Sequence, residues 1–249
     1  MKRITKALVA IMLMTMVTFT PGCENAQNAQ NAQNNEEGEV NINTNVVGGH
    51  EYVDLGLPSG TLWATRNIGA DTPDACGSLF AWGETTPKTS YSWCNYKHSN
   101  DCRFNDDSEE FECGGLTKYC WDSNFGYNGF TDTLTILQPG DDAATAHWGN
   151  GWRIPVTAQW VELLENTTQK WTTQNGVGGL LFTASNGNSI FLPAVIGFPS
   201  NGGINTYRSA SLSNKNTKYA ESFEFNENDR VMEMFWREYG IPVRPVYVK

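Results

Sequence analysis

An α+β domain is what this sequence predicts, and three observations predict it. Short runs of alternating apolar and polar residues, broken by Gly, Pro, Asn and Asp, fill the chain from Glu51 to Lys97 and again from Thr172 to Lys249. Between them lies a clear helical period, Pro155 to Asn166. Charged residues make up only 18% of the chain, whereas Gly, Asn, Ser, Thr, Trp and Tyr are abundant. That balance suits a loop-rich fold with an aromatic and amide surface better than a helical enzyme.

The first 22 residues read as an address. Lys2, Arg3 and Lys6 form a positive head, and Ala7 to Phe19 is almost wholly apolar, the length of a signal core and too short to cross a bilayer as a helix. The run stops at Thr20-Pro21-Gly22-Cys23. This stop resembles the lipobox of bacterial lipoproteins, with Gly22 and Cys23 in place and Thr20 and Pro21 departing from it. The resemblance implies cleavage before Cys23 and acylation of that residue. Plain secretion with a free Cys23 thiol is the alternative. At about 0.8 kcal/mol per buried methylene, two or three acyl chains would hold the protein on a membrane, at the outer membrane or cell surface of the envelope.

Residues 23–49 read as a tether. Three copies of Asn-Ala-Gln from Asn25 to Gln33 precede Glu36, Glu37 and Glu39, with no periodic apolar face to offset the entropy of ordering. Its reach scales as about 5–6 Å times the square root of its length. From His50 to Lys249 the chain is long enough for one domain with its own core. The formal charge is -10, and losing Lys2, Arg3 and Lys6 makes it -13. With no basic cluster, nucleic acid is excluded as a partner, as is an anionic lipid surface bound by charge.

Within the domain, Glu51 to Ala70 predicts two extended segments around the Pro58-Ser59-Gly60 turn, and Ser78 to Glu84 a further strand. Tyr91 to Lys97 alternates aromatic and polar residues and predicts another. His98 to Gly115 is acidic and loop-like. Asp141-Asp142 ahead of Ala143 to Trp148 suits a helix start, because a carboxylate accepts the orphan N–H groups there. Gly149-Asn150-Gly151 ends that helix, and Trp160, Leu163 and Leu164 mark the inward face of the next. Strands follow at Gly179 to Thr183, Ser189 to Leu192, Tyr219 to Phe225 and Val243 to Val248, with Asn186-Gly187 as a hairpin turn.

Five cysteines besides Cys23 occupy the domain: Cys76, Cys94, Cys102, Cys113 and Cys120. Their spacing lacks the close pairs of a zinc site, and an exported chain favours disulfides. The expected arrangement is nested, Cys94–Cys120 outside Cys102–Cys113, with Cys76 left as a buried thiol. Spacing alone leaves other pairings open.

Five ordered blocks resemble one family. They are Glu51-Tyr52-Val53-Asp54-Leu55-Gly56-Leu57-Pro58-Ser59-Gly60-Thr61-Leu62-Trp63-Ala64, Phe80-Ala81-Trp82-Gly83-Glu84-Thr85, Asp141-Asp142-Ala143-Ala144, Gly149-Asn150-Gly151-Trp152-Arg153-Ile154-Pro155 and Val243-Arg244-Pro245-Val246. Their order is similar to the Fibrobacter succinogenes major paralogous domain, found in exported proteins of gut Bacteroidetes. The block from Trp152 to Trp160 is also similar to sulfatase-modifying-factor domains. The resemblance implies a C-type-lectin-like fold, with two short helices, twisted antiparallel sheets and long loops. Val156 stands where the pattern has a capping Thr, which moves the expected cap to Thr157. The segment from Thr206 to Ser211 also departs from the pattern.

Chemistry is weighed against that scaffold. No cysteine follows Cys120, so formylglycine-generating activity is rejected. None of His50, His98 and His147 has a suggestive nucleophile nearby, and no spacing singles out a carboxylate pair. The expectation is a domain that is not an enzyme and has no resident cofactor. Calcium is the sharper alternative, through Asp106 and Asp107 or through Glu227 and Asp229; a solvated acidic loop is the commoner occurrence. Trp93, Trp121, Tyr127, Tyr207 and Trp236, with Tyr96, Phe125 and Phe235, could stack on a sugar ring or a partner side chain. Asp132-Thr133-Leu134 resembles a short O-glycosylation acceptor. The reading preferred is an envelope-anchored binding or adhesion module for a glycan or a surface protein. A glycan-active enzyme using carboxylates and a structural subunit of a surface appendage are the alternatives.

Overall fold

The computed structural model describes residues 44–107, 110–149, 151–194 and 205–248. The signal, Cys23 and the Asn-Ala-Gln repeats lie outside them. β1 (Thr44–Val47) and β2 (His50–Val53) form a hairpin closed by Gly48 and Gly49, whose φ values of 59° and 84° suit a residue without Cβ. The described structure thus includes Thr44 to Gly49, within the stretch that reads as tether. β2 pairs with β3 (Leu62–Ala64), and the final strand, β15 (Val246–Tyr247), inserts between β3 and β7 (Trp152–Arg153). The order β1-β2-β3-β15-β7 brings both ends of the domain into one sheet.

The remaining strands form antiparallel units. β4 (Leu79–Phe80) pairs with β14 (Ile241–Pro242), and β5 (Cys102–Asn105) with β6 (Glu110–Cys113). β8 (Thr167–Gln174), β9 (Val177–Ala184) and β10 (Ser189–Pro193) make one meander, and β11 (Asn205–Leu212), β12 (Tyr219–Phe225) and β13 (Arg230–Trp236) another. Two α-helices, α1 (Ala143–Trp148) and α2 (Thr157–Asn166), complete an α+β fold that is mostly antiparallel sheet.

Three sequence expectations change. Tyr91 to Lys97 is no strand: Trp93–Asn95 forms a 3-10 turn, because Trp93 and Tyr96 both bury into one cluster and alternation would separate them. β8 carries the β8–β10 meander back to Thr167, through the polar run Thr-Thr-Gln-Lys that periodicity passes over. The cap of α2 is Val156 rather than Thr157: Gln159 Oε1 accepts the Val156 N–H, while Thr157 is the first helical residue. The cap of α1 is as the sequence suggests, since Asp142 Oδ1 accepts the N–H groups of Ala144 and Thr145.

The main core joins Trp63, Trp160, Leu163, Phe182, Tyr207 and Phe223, so α2 lies on strands from all three larger sheets. A second cluster gathers Phe80, Trp82, Tyr119, Ala143, Ile154 and Val243. A third holds Ala81, Trp93, Tyr96, Leu116 and Cys120 beneath the loop that follows β6.

The nested disulfides are corrected. Cys94 bonds Cys102, their Cα atoms 4.8 Å apart, because the 3-10 turn sets Cys94 over the start of β5. Cys113 and Cys120 are free thiols. Cys113 faces Cys102 across the β5–β6 ladder, but its Sγ lies 3.2 Å from Ser99 Oγ. Cys120 belongs to the third core cluster, its Sγ donating to Asp122 O. Cys76 is half-buried and packs against the main core.

Candidate ligand-binding surface

The loop from Leu116 to Ile136 carries most of the exposed aromatic surface, and it is braced from below. Arg237, fully buried at the end of β13, donates from Nε to Tyr96 Oη, from Nη1 to the carbonyls of Tyr119 and Thr217, and from Nη2 to the carbonyl of Lys118. Its guanidinium lies 4.7 Å from the Trp82 ring centroid. A planar fork can hold three carbonyls at once, which ties the loop to the β11–β12 turn. Thr217 Oγ1 adds a bond to Tyr119 O.

A charged knot sits beside this brace. Asp141 accepts from Lys97 Nζ at 2.6 Å, Lys118 Nζ at 2.5 Å and Tyr119 Oη at 2.8 Å. Burial opposes ionisation of Asp141, but these hydrogen bonds more than offset it and hold the carboxyl well below its usual range. Asp141 is therefore an ion-pair centre, while Asp142 caps α1. His98 Nε2 contacts Gly83 O at 3.0 Å, and burial together with Arg237 lowers its pKa to about 4.

Above the brace, Trp121 is 40% exposed and Tyr127 41%. The Trp121 indole N–H donates to Ser213 O at 3.1 Å, so the partly exposed ring is held in place. Lys218 Nζ lies 5.0 Å from the Phe125 ring centroid, and Trp236 packs on Tyr219 with centroids 4.2 Å apart. The loop around Trp121 thus lies against the turn between β11 and β12, through Trp121 on Ser213 and Phe125 beside Lys218.

Three of the stacking candidates are corrected. Trp93 is buried edge-on to Tyr96 and Trp236, Tyr96 is buried with its hydroxyl donating to Trp82 O, and Tyr207 is buried against Trp160 and Phe225 with its hydroxyl donating to Pro193 O. All three pack in the core through distant segments, which alternation in one strand cannot report. Trp236 is half-buried. Tyr219 and Lys218, absent from the sequence list, join the surface through the short β11–β12 turn.

The calcium candidates do not gather. Asp106 and Asp107 lie exposed in the β5–β6 turn, Glu227 and Asp229 exposed in the β12–β13 turn. Neighbouring amides use their side chains locally: Asn105 Oδ1 accepts the Asp107 N–H, and Asn226 Oδ1 those of Asn228 and Asp229. Among the described residues, no three His, Cys, Asp or Glu side chains come together where they could hold a metal ion.

Two depressions lie elsewhere. A groove of ≈ 590 Å³ runs between Ile136, Pro139, Arg153, Val156 and Ala210. Another of ≈ 380 Å³ includes Glu221, Glu233 and Lys215, where burial raises the Glu221 pKa. His147 Nε2 contacts Thr85 O and His50 stacks on Trp148 at 4.0 Å. Thr133 is exposed, and the Asp132 carboxylate accepts the N–H groups of Tyr119, Cys120 and Leu134. Comparison with known families, with curated proteins and with solved structures finds no match to this chain.

Proposed function

We propose that this chain is an envelope-anchored lipoprotein whose domain, a C-type-lectin-like member of the Fibrobacter succinogenes major paralogous domain family, binds a glycan or a protein surface and does not transform it. The observation that carries the reading is the pinned, partly exposed Trp121 ring on a loop fixed by Arg237. A stacking face whose polar atom is already satisfied loses little freedom on binding. The motif residues support the family assignment by their positions: Trp63, Trp82, Trp152 and Arg244 are all buried, and Arg244 binds Asn67 Oδ1 and the carbonyls of Ala64 and Thr65. They build the scaffold and leave recognition to the loops. Each of the three histidines is engaged in a backbone or ring contact, which supports a binding role over acid–base chemistry.

Binding to a glycan array tests the reading. Trp121→Ala and Tyr127→Ala should each weaken capture about tenfold, the loss of one good stacking contact, with unchanged thermal unfolding. Trp121→Phe should retain most of it. Capture indifferent to all three substitutions would remove this surface from the account. The competing enzyme reading is best seated at the Glu221 and Glu233 depression; glycan hydrolysis abolished by Glu221→Gln would establish it instead.

A further inference from the structure

Antiparallel geometry fixes which backbone groups of β8 face away from the protein. Ala184 N donates to Asn188 O and Ala194 N to Gly178 O, so the even residues at the two ends of β9 turn toward β10. Bonding directions alternate along an antiparallel strand, so the odd residues of β9 turn toward β8. Their register partners are Thr168, Lys170, Thr172 and Gln174. The N–H and C=O groups of Gln169, Trp171 and Thr173 therefore point outward, and β8 is the last strand of its sheet. Thr167 O is already taken by Gln169 Nε2.

At other edges, side chains or burial take up backbone groups. Thr145 Oγ1 donates to Trp152 O and Ile154 N to Asp142 Oδ2, which seals β7. β10 is buried throughout, and Trp236 O of β13 accepts from Arg208 Nη2. β8 has no proline, keeps an unbroken register and carries Lys170 as its one charge. Edges left in that state pair with other strands.

We propose that β8 is a self-association edge, at which two copies of this chain join antiparallel about Trp171. Trp171 then stands opposite Trp171 of the second copy, and Gln169 opposite Thr173 of the second copy, so all three outward residues exchange about six backbone hydrogen bonds. Lys170 meets Thr172 of the second copy. Shifting the register to set Gln169 opposite Trp171 would place the two lysines face to face and match Thr173 with Thr167, whose carbonyl is occupied. Charge points to the same occupant: the chain carries -10 overall, yet β8 has one lysine and no acid, so two acidic copies approach here with little repulsion. The Trp171 ring leans inward over Gly178, where a Cβ would lie 3.0 Å from it, and packs against the main core on the β9 side of β8. An edge of this length buries less than a standard interface of about 1,600 Å², so association is weak in dilute solution.

The test uses the exported chain with Cys23→Ser, so that no acyl group drives association, from about 10 μM to about 1 mM by sedimentation equilibrium and amide exchange. The expected result is a reversible dimer in which the amides of Gln169, Trp171 and Thr173 gain protection with concentration, while those of Thr168, Lys170 and Thr172 are protected throughout. Thr173→Pro should abolish the dimer. Thr172→Lys, opposite Lys170, should weaken it about tenfold, and Thr172→Glu should tighten it severalfold. A chain monomeric at about 1 mM, or a dimer indifferent to Thr173→Pro and to both charge changes, overturns the proposal.

Discussion

His98 and Glu238 titrate in the same pH window with opposite signs. Burial, with Arg237 nearby, lowers His98 to about 4, so the unfolded chain takes up its proton first and stability falls as pH drops from 6.5 toward 4. Burial raises Glu238 to about 7, and its Oε2 has no hydrogen-bond partner. The folded state holds that proton more tightly, so this carboxyl adds stability as pH drops from 7 toward 4.5 and withdraws it as pH rises again. Each effect is worth roughly 2–3 kcal/mol, and between 4.5 and 6.5 they largely cancel. Urea unfolding should therefore show a flat stability profile in that range. His98→Gln should leave a profile that rises toward acid, and Glu238→Gln one that falls toward acid, with a gain over the parent near pH 8. At the same scale, Arg237→Lys should cost about 3 kcal/mol or more, as should Arg237→Met, because neither replaces the fork and the carbonyls of Thr217 and Lys118 lose their donor. Recovery of stability by Lys would show that charge, not geometry, is what Arg237 supplies.

At the level of elements, α1 is only six residues long and owes its place to one carboxylate. Asp142 accepts two N–H groups of its first turn with Oδ1 and the Ile154 N–H with Oδ2, joining helix to β7. Asp142→Ala should cost about 2–4 kcal/mol, more than a simple cap, since it also leaves the buried Ile154 N–H unpaired; chemical denaturation measures it. The β5–β6 hairpin depends on Cys94–Cys102, which spans a sequence separation of 8. Cys102→Ser should cost about 2–3 kcal/mol by the entropy of loop closure, whereas Cys113→Ser should change little. Comparable losses from both would point to a bond at Cys113. Strands with apolar alternation, such as Tyr219–Phe225, could be read from the sequence to the residue. The polar β8 could not, because its order comes from a complete ladder with β9 rather than from its own pattern.

For the whole molecule, the proposed anchor makes a direct expectation: the mature N-terminal peptide should carry acyl mass on Cys23, and Cys23→Ser should move the protein from the membrane to the soluble fraction. An unmodified thiol on a soluble protein would remove the anchor and leave the domain untouched. The sequence by itself determined the α+β class, the hairpin at Asn186-Gly187 and the Asp142 cap, because each depends on neighbours within a few residues and on local backbone preference. It also marked Trp121 and Tyr127 as surface aromatics. Only tertiary structure decided that Cys94 meets Cys102, that Trp93 and Tyr207 are core, and that Lys218 and Tyr219 stand beside the Trp121 loop. Those outcomes depend on distant segments brought together by β15 and Arg237, contacts set by how the sheets close on one another and carried by no periodicity along the chain.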